Sequence, residues 1–109
     1  MDTEYSYLRL YRIIDSSEEI IKEELNKLGS FIKSRATINK DLSYIVITMV
    51  KNGRVDGIIA VGGDREKVDR EIEIIIGYID SQLETVAAEK IGRVKSYEQL
   101  LIPIKRSFF

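Results

Sequence analysis

Tyr44-Ile45-Val46-Ile47-Thr48-Met49-Val50-Lys51-Asn52-Gly53-Arg54-Val55-Asp56-Gly57-Ile58-Ile59-Ala60-Val61 is the stretch that decides the fold. Asn-Gly between two β-branched runs is the signature of a type I′ hairpin, because both central turn residues must adopt positive φ and Asn and Gly tolerate it best. With Asn52-Gly53 at the turn, Lys51 faces Arg54, Met49 faces Asp56, Ile47 faces Ile58 and Ile45 faces Ala60. These residues share one side of the sheet. The other side carries Val50, Thr48, Val46 and Tyr44 opposite Val55, Gly57, Ile59 and Val61. Both faces are largely apolar, so both require cover.

Downstream, Gly62-Gly63-Asp64 breaks the strand and caps a long helix. The spacing of Val68, Ile72, Ile75, Ile76, Ile79, Leu83, Val86 and Ala87 predicts that helix over residues 65–91, with Gly92 as its C-cap. Ile74 and Tyr78 lie off the stripe and widen its apolar arc. Upstream, the alternation of Ile32, Ala36 and Ile38 against Lys33, Arg35 and Thr37 predicts a strand over residues 31–39. A helix precedes it, with Ile21, Leu25, Leu28 and Ile32 spaced by four, three and four. Ser16 or Ser17 caps its start, Glu19 completes a capping box if Ser16 is the cap, and Gly29 ends it.

Residues 5–14 predict the first strand. Leu8, Leu10 and Ile14 form its core side and Tyr5, Tyr7, Arg9, Tyr11 and Ile13 the other. The expected class is therefore α+β, a four-stranded β-α-β-β-β-α sheet with two helices on one face and a C-terminal tail. The single domain spans residues 1–92 and a basic, apolar tail spans 93–109. In that tail Arg93, Lys95, Lys105 and Arg106 face only Glu98, Pro103 favours an extended chain, and Phe108-Phe109 closes the sequence.

The 109 residues suit one modest core. Hydrophobic residues at 44% and charged residues at 32% describe a globular chain, and the near balance of 17 basic with 18 acidic side chains makes any case for nucleic acid a local one. Without Cys or His, zinc fingers, thiol nucleophiles, Ser-His-Asp machinery and disulfides are excluded. No signal peptide or membrane span is expected, which makes the cytoplasm the expected compartment. Abundant Ile, Glu and Lys with a single Pro is thermophile-like.

No catalytic residue, cofactor or metal site is expected. Gly62-Gly63-Asp64 lacks the third glycine of a dinucleotide fingerprint and the Lys-Ser/Thr of a P-loop, so it reads as turn and cap. The carboxylates Glu18, Glu19, Glu23 and Glu24, and Glu66, Asp69, Glu71 and Glu73, read as solvated helix faces beside Lys22, Lys27, Lys67 and Arg70. A more informative set is Tyr5, Tyr7, Arg9 and Tyr11 with Lys33 and Arg35, all expected outside the helix-covered face. Rings interleaved with cations stack bases and meet phosphates in single-stranded nucleic acid; the same residues also suit an exposed strand face or a tyrosine-rich dimer contact. The candidate nucleic-acid contacts are Arg9, Tyr11, Lys33 and Arg35, with Arg93, Lys95, Lys105 and Arg106 as a second patch. Candidate protein contacts are Ile45, Ile47, Ile58, Phe108 and Phe109, in a homodimer or with another protein through the tail.

From Leu8 to about Lys90 the order and spacing resemble the ribosome hibernation-promoting factor family. The residues that carry the resemblance are Ser17-Glu18-Glu19-Ile20-Ile21-Lys22-Glu23-Glu24-Leu25-Asn26-Lys27-Leu28, Val50-Lys51-Asn52-Gly53, and the helix from Val68 with Ile79-Asp80-Ser81-Gln82-Leu83 near its end. Members of that family block the tRNA channel of the small ribosomal subunit through basic residues on both helices. The resemblance thus implies ribosome or RNA as partner and points to Lys22, Lys27, Lys67, Arg70 and Lys90. A second similarity is to the small dimerisation subunit of the KEOPS tRNA-modification complex, also a small sheet with two helices on one face. The function expected from the sequence is a non-catalytic RNA- or ribosome-associated binding protein; the alternative is a small homodimeric interaction subunit.

Overall fold

The computed structural model describes residues 4–108. In order, these form β1 (Glu4–Arg12), α1 (Glu18–Ile38), β2 (Ser43–Lys51), β3 (Arg54–Gly63), α2 (Arg65–Gln82), β4 (Val86–Val94) and α3 (Tyr97–Phe108). The class is α+β, with a four-stranded antiparallel sheet ordered β2-β3-β1-β4. Through β4 this is the β-α-β-β-α-β arrangement of ferredoxin-like domains. The expected β-α-β-β-β-α order and two-helix count are corrected: residues 31–38 are helix, residues 86–94 are strand, and the end of the chain is a third helix.

The hairpin forms as its sequence dictates. Asn52 and Gly53 take φ of 52° and 76°, and the register runs Lys51↔Arg54, Met49↔Asp56, Ile47↔Ile58 and Ile45↔Ala60. Leu8 and Leu10 of β1 join Ile59 and Val61 of β3 in the larger core beneath α1 and α2. Tyr5 and Tyr7 point the other way, towards Ile58 and Ala60. Tyr5 lies over Gly62, where a Cβ would stand 2.3 Å from its ring, so only glycine allows that close approach.

Ser17 caps α1 through a hydrogen bond from the Ile20 N–H to Oγ at 3.3 Å. The helix does not stop at Gly29. A glycine inside a helix costs roughly 0.5–1 kcal/mol, but packing beyond it holds the next turns. Ile32 continues the buried row of Ile21, Leu25 and Leu28, and Phe31 stacks on Tyr78 of α2 at 3.9 Å. Arg35 clasps Glu71 of α2 with a two-pronged bond, Nε to Oε1 at 2.7 Å and Nη2 to Oε2 at 2.9 Å. Asn39 then caps the end, its N–H and side-chain Nδ2 both donating to the Arg35 carbonyl.

Asp64 caps α2 through the Lys67 N–H. The helix ends at Gln82, short of the expected residue 91, because the Glu24 carboxylate of α1 seizes the next turn. It accepts from the N–H of Glu84 at 2.9 Å, the N–H of Thr85 at 2.8 Å and the Thr85 hydroxyl at 2.6 Å. The chain leaves this clamp extended and pairs with β1. Burial alone would raise the Glu24 carboxyl, but these hydrogen bonds, with Lys27 nearby, hold it below its usual value.

Glu71 is 3% exposed, and the Arg35 hydrogen bond holds its carboxyl low against the upward push of burial. Burial, then the bond to Glu71, pushes the neighbouring Tyr44 phenol up to about 12. A carboxyl lowered on folding stabilises the protein above its unfolded value near 4.5 and ceases to do so as pH falls. Replacing Arg35 by Met leaves Glu71 buried without its cation, which raises that carboxyl instead. Urea unfolding is expected to show R35M less stable by about 3 kcal/mol at pH 7, with the gap to wild type narrowing as pH falls, beginning above pH 4.5 where the raised Glu71 carboxyl of the variant takes up its proton. A gap independent of pH would show that the pair does not govern it.

Candidate functional site

α3 lies on the sheet face opposite α1 and α2. Leu100 and Ile104 are buried against Ile58 and Ala60, with Leu101 and Phe108 beside them and Tyr5, Tyr7, Ile45, Ile47 and Val94 completing a second, smaller core. The helix starts in a local cap: Ser96 Oγ accepts from the Gln99 N–H at 3.2 Å, and Gln99 Oε1 accepts from the Lys95 N–H at 2.8 Å. This is the reciprocal logic of a capping box. Pro103 sits within the helix and cannot donate to the Gln99 carbonyl four residues earlier.

α3 leaves a groove of about 480 Å3 against β1 and β4. Its floor is Ile58, Ile91 and Val94, and its far wall is Ile102 and Pro103. Arg9 of β1 and Arg106 of α3 both open onto it, with Tyr7, Gln99 and Ser107. Tyr11 follows Arg9 on the same side of β1, 42% exposed. Glu89 stands across from Arg9 on β4, yet among the described residues neither arginine forms an ion pair. With its Oε1 already engaged, the Gln99 side-chain amide remains a donor.

On the opposite side of the molecule several cations are paired. Lys90 pairs with Glu73 and Arg93 with Asp69 between β4 and α2, filling the cleft there with neutralised charge. Lys67 pairs with Asp41, Lys22 with Glu18, and Lys27 Nζ donates to the Gln82 carbonyl. Of the helix cations to which the family resemblance points, only Arg70 is outside such contacts among the described residues. The wider hollow beside Phe31 and Tyr78 carries one lysine, Lys27, with Glu23 close by.

The sequence-selected residues are thus divided. Arg9 and Tyr11 lie on the α3 side of the sheet, and Lys105 and Arg106 lie exposed in the last turn of α3. Lys95 precedes that helix, exposed. Lys33 and Arg35 are not beside Arg9, because residues 31–38 are helix on the other face; Lys33 is exposed there and Arg35 is held by Glu71. Arg93 points to α2. Ile58 is buried beneath α3, while Ile45, Ile47 and Phe108 are half-buried around it. Phe109 lies outside the described residues.

The groove residues that sequence reasoning did not select are Gln99, Ile91, Val94, Ile102, Pro103 and Ser107. The signal for the first was present in Ser96-Tyr97-Glu98-Gln99, a capping pattern outweighed by the proline. Among the described residues no cluster of Asp and Glu is arranged to hold a metal ion. The fold and the groove define a small α+β domain with a cationic, partly aromatic cleft. Comparison with protein-family models, curated proteins and solved structures finds no match to this chain.

The groove exists only while α3 is docked. Replacing Leu100, fully buried at its centre, by Asp is expected to release the helix. Hydrogen exchange should then show amides 100–108 losing protection while those of β1 and β3 keep it. Equal loss throughout the sheet would mean that α3 is integral to the main core.

Proposed function

We propose that the protein is a non-catalytic RNA-binding domain that takes a single-stranded segment in the α3 groove. The observation that carries this reading is the placement of Arg9 and Arg106, without ion-pair partners among the described residues, on one groove with Tyr7, and with Tyr11 next along the same face of β1. Guanidinium forks grip phosphate oxygens through paired donors, and tyrosine rings offer sequence-tolerant stacking surfaces for bases. Aromatic side chains on the central strands of a four-stranded sheet are a recurring RNA platform, which supports the reading by analogy of fold.

The same groups argue for binding rather than turnover. Arginine stays protonated, and among the described residues none that lines the groove is a carboxylate or imidazole able to cycle a proton near neutral pH. Ribosome association in the cytoplasm, as for hibernation factors, belongs to this proposal; the cations it would use are those of the α3 side, since those of α1 and α2 are mostly engaged. The alternative, an interaction subunit using Ile45, Ile47, Ile58 and the tail, has less surface available, because α3 covers Ile58 and half-covers the other two.

Fluorescence anisotropy with a labelled single-stranded RNA of mixed sequence tests the proposal. Affinity should fall steeply between about 50 and 200 mM salt, and Arg9→Ala with Arg106→Ala should weaken it about tenfold or more. Lys33→Ala, on the other face, should bind as wild type. Binding by the double variant equal to wild type, or no binding at the lower salt, would overturn the assignment.

A further inference from the structure

The two edges of the sheet are unlike. β4 is guarded in the manner of natural edges: its pairing with β1 is broken by a bulge at Tyr7/Leu8, it carries Glu89, Lys90 and Arg93, and two of these are tied to α2. β2, at the other edge, has none of these devices before its last residue, Lys51. From Ser43 to Val50 it carries no charge, no proline and no bulge, and it pairs with β3 without a register shift. It also exposes apolar side chains on both sides of the ribbon, Val46 and Met49 at 38% each.

The backbone of this edge is self-complementary. Lys51 and Arg54 flank the two-residue turn as a hydrogen-bonded pair, so alternation turns the N–H and C=O groups of Lys51, Met49, Ile47, Ile45 and Ser43 towards β3. Those of Tyr44, Val46, Thr48 and Val50 point outward, where no strand of the described residues lies. A second β2 strand laid antiparallel about a two-fold axis at Ile47 brings outward groups opposite outward groups. Tyr44 then meets Val50 of the second copy, Val46 meets Thr48, Ile45 meets Met49 and Ile47 meets its own counterpart. Ile45 with Met49 and Ile47 with its counterpart are wholly apolar, Tyr44 lays its ring against Val50, Val46 meets Thr48, and Lys51 falls opposite Ser43, so no like charges are opposed.

We infer that β2 is the association edge of this protein, and that its occupant is β2 of a second copy, forming one continuous antiparallel sheet. The two-fold axis is perpendicular to that sheet, which places the α3 grooves of both copies on the same side. The inference stands on the edge alone and is independent of what the grooves bind. In such a dimer each groove opens towards β1 and β4, and its floor comes no nearer the joint than Ile58 of β3, the strand beside β2.

Solution mass by light scattering, read together with residue-resolved hydrogen exchange, tests it. Wild type is expected at twice the 12.5 kDa chain mass. The Tyr44, Val46, Thr48 and Val50 amides should be protected alongside Ile45, Ile47 and Met49. Val46→Lys with Thr48→Lys sets like charges across the axis at exposed positions, and should weaken association about tenfold or more. In that variant the outward amides should exchange freely while the inward ones stay protected, which also reports that the fold is intact. Glu89→Lys on the other edge should leave the mass unchanged. A wild-type chain of single mass, or a dimer whose outward β2 amides exchange freely, would overturn the inference.

Discussion

β3 is buried on both of its faces, and the architecture follows from that constraint. Ile59 and Val61 require cover on one side and Ile58 and Ala60 on the other. A two-layer sheet with helices on one face leaves half of this strand wet. The domain therefore adds a third layer, and α3 supplies it from the last residues of the chain. The second core is small, centred on Ile58, Ala60, Leu100 and Ile104. It covers only part of its face, and the groove is what remains between the helix and the strands it does not reach.

Charge is distributed with the same asymmetry. On the α1 and α2 side, cations meet carboxylates: Arg35 with Glu71, Lys67 with Asp41, Lys90 with Glu73, Arg93 with Asp69. The exposed pairs among these contribute little to stability, whereas the Arg35–Glu71 pair, with its carboxylate buried, joins α1 to α2 in one geometry. Their shared effect is to offset much of the positive charge there, with Lys33 and Arg70 left outside ion pairs among the described residues. On the α3 side Arg9 and Arg106 remain unpaired among the described residues, so a chain of almost zero net charge still presents one cationic cleft. Bulk composition conceals such a cleft because the compensating carboxylates sit elsewhere.

Much of the candidate site was legible residue by residue and illegible as a place. Tyr7, Arg9 and Tyr11 alternate outward along β1, which a period of two reveals without coordinates. Their grouping with Lys33 and Arg35 failed because that step needed residues 31–39 to be strand. The pattern there fits both periods: Ile32, Ala36 and Ile38 alternate, while Leu28, Ile32 and Arg35 follow helical spacing. Residues 83–87 are ambiguous in the same way, since Leu83, Val86 and Ala87 extend the stripe of α2 as well as they begin a strand.

By itself the sequence determined the hairpin, its turn type, its register and the apolar character of both its faces, because those depend on contacts a few residues apart. It also determined where α1 and α2 start: Asp64 caps α2 as expected, while for α1 the structure selects Ser17 as the cap in place of Ser16 with Glu19. Tertiary structure decided where those helices end. Arg35 reaching Glu71 carries α1 past Gly29, and Glu24 gripping Glu84 and Thr85 stops α2 and releases β4. The helical state of the last segment was decided in the same way: an apolar stripe at Leu100 and Ile104 becomes favourable as helix when a matching face, Ile58 and Ala60, is there to receive it. Local pattern sets which conformations are close in free energy, and the surface available for burial selects among them.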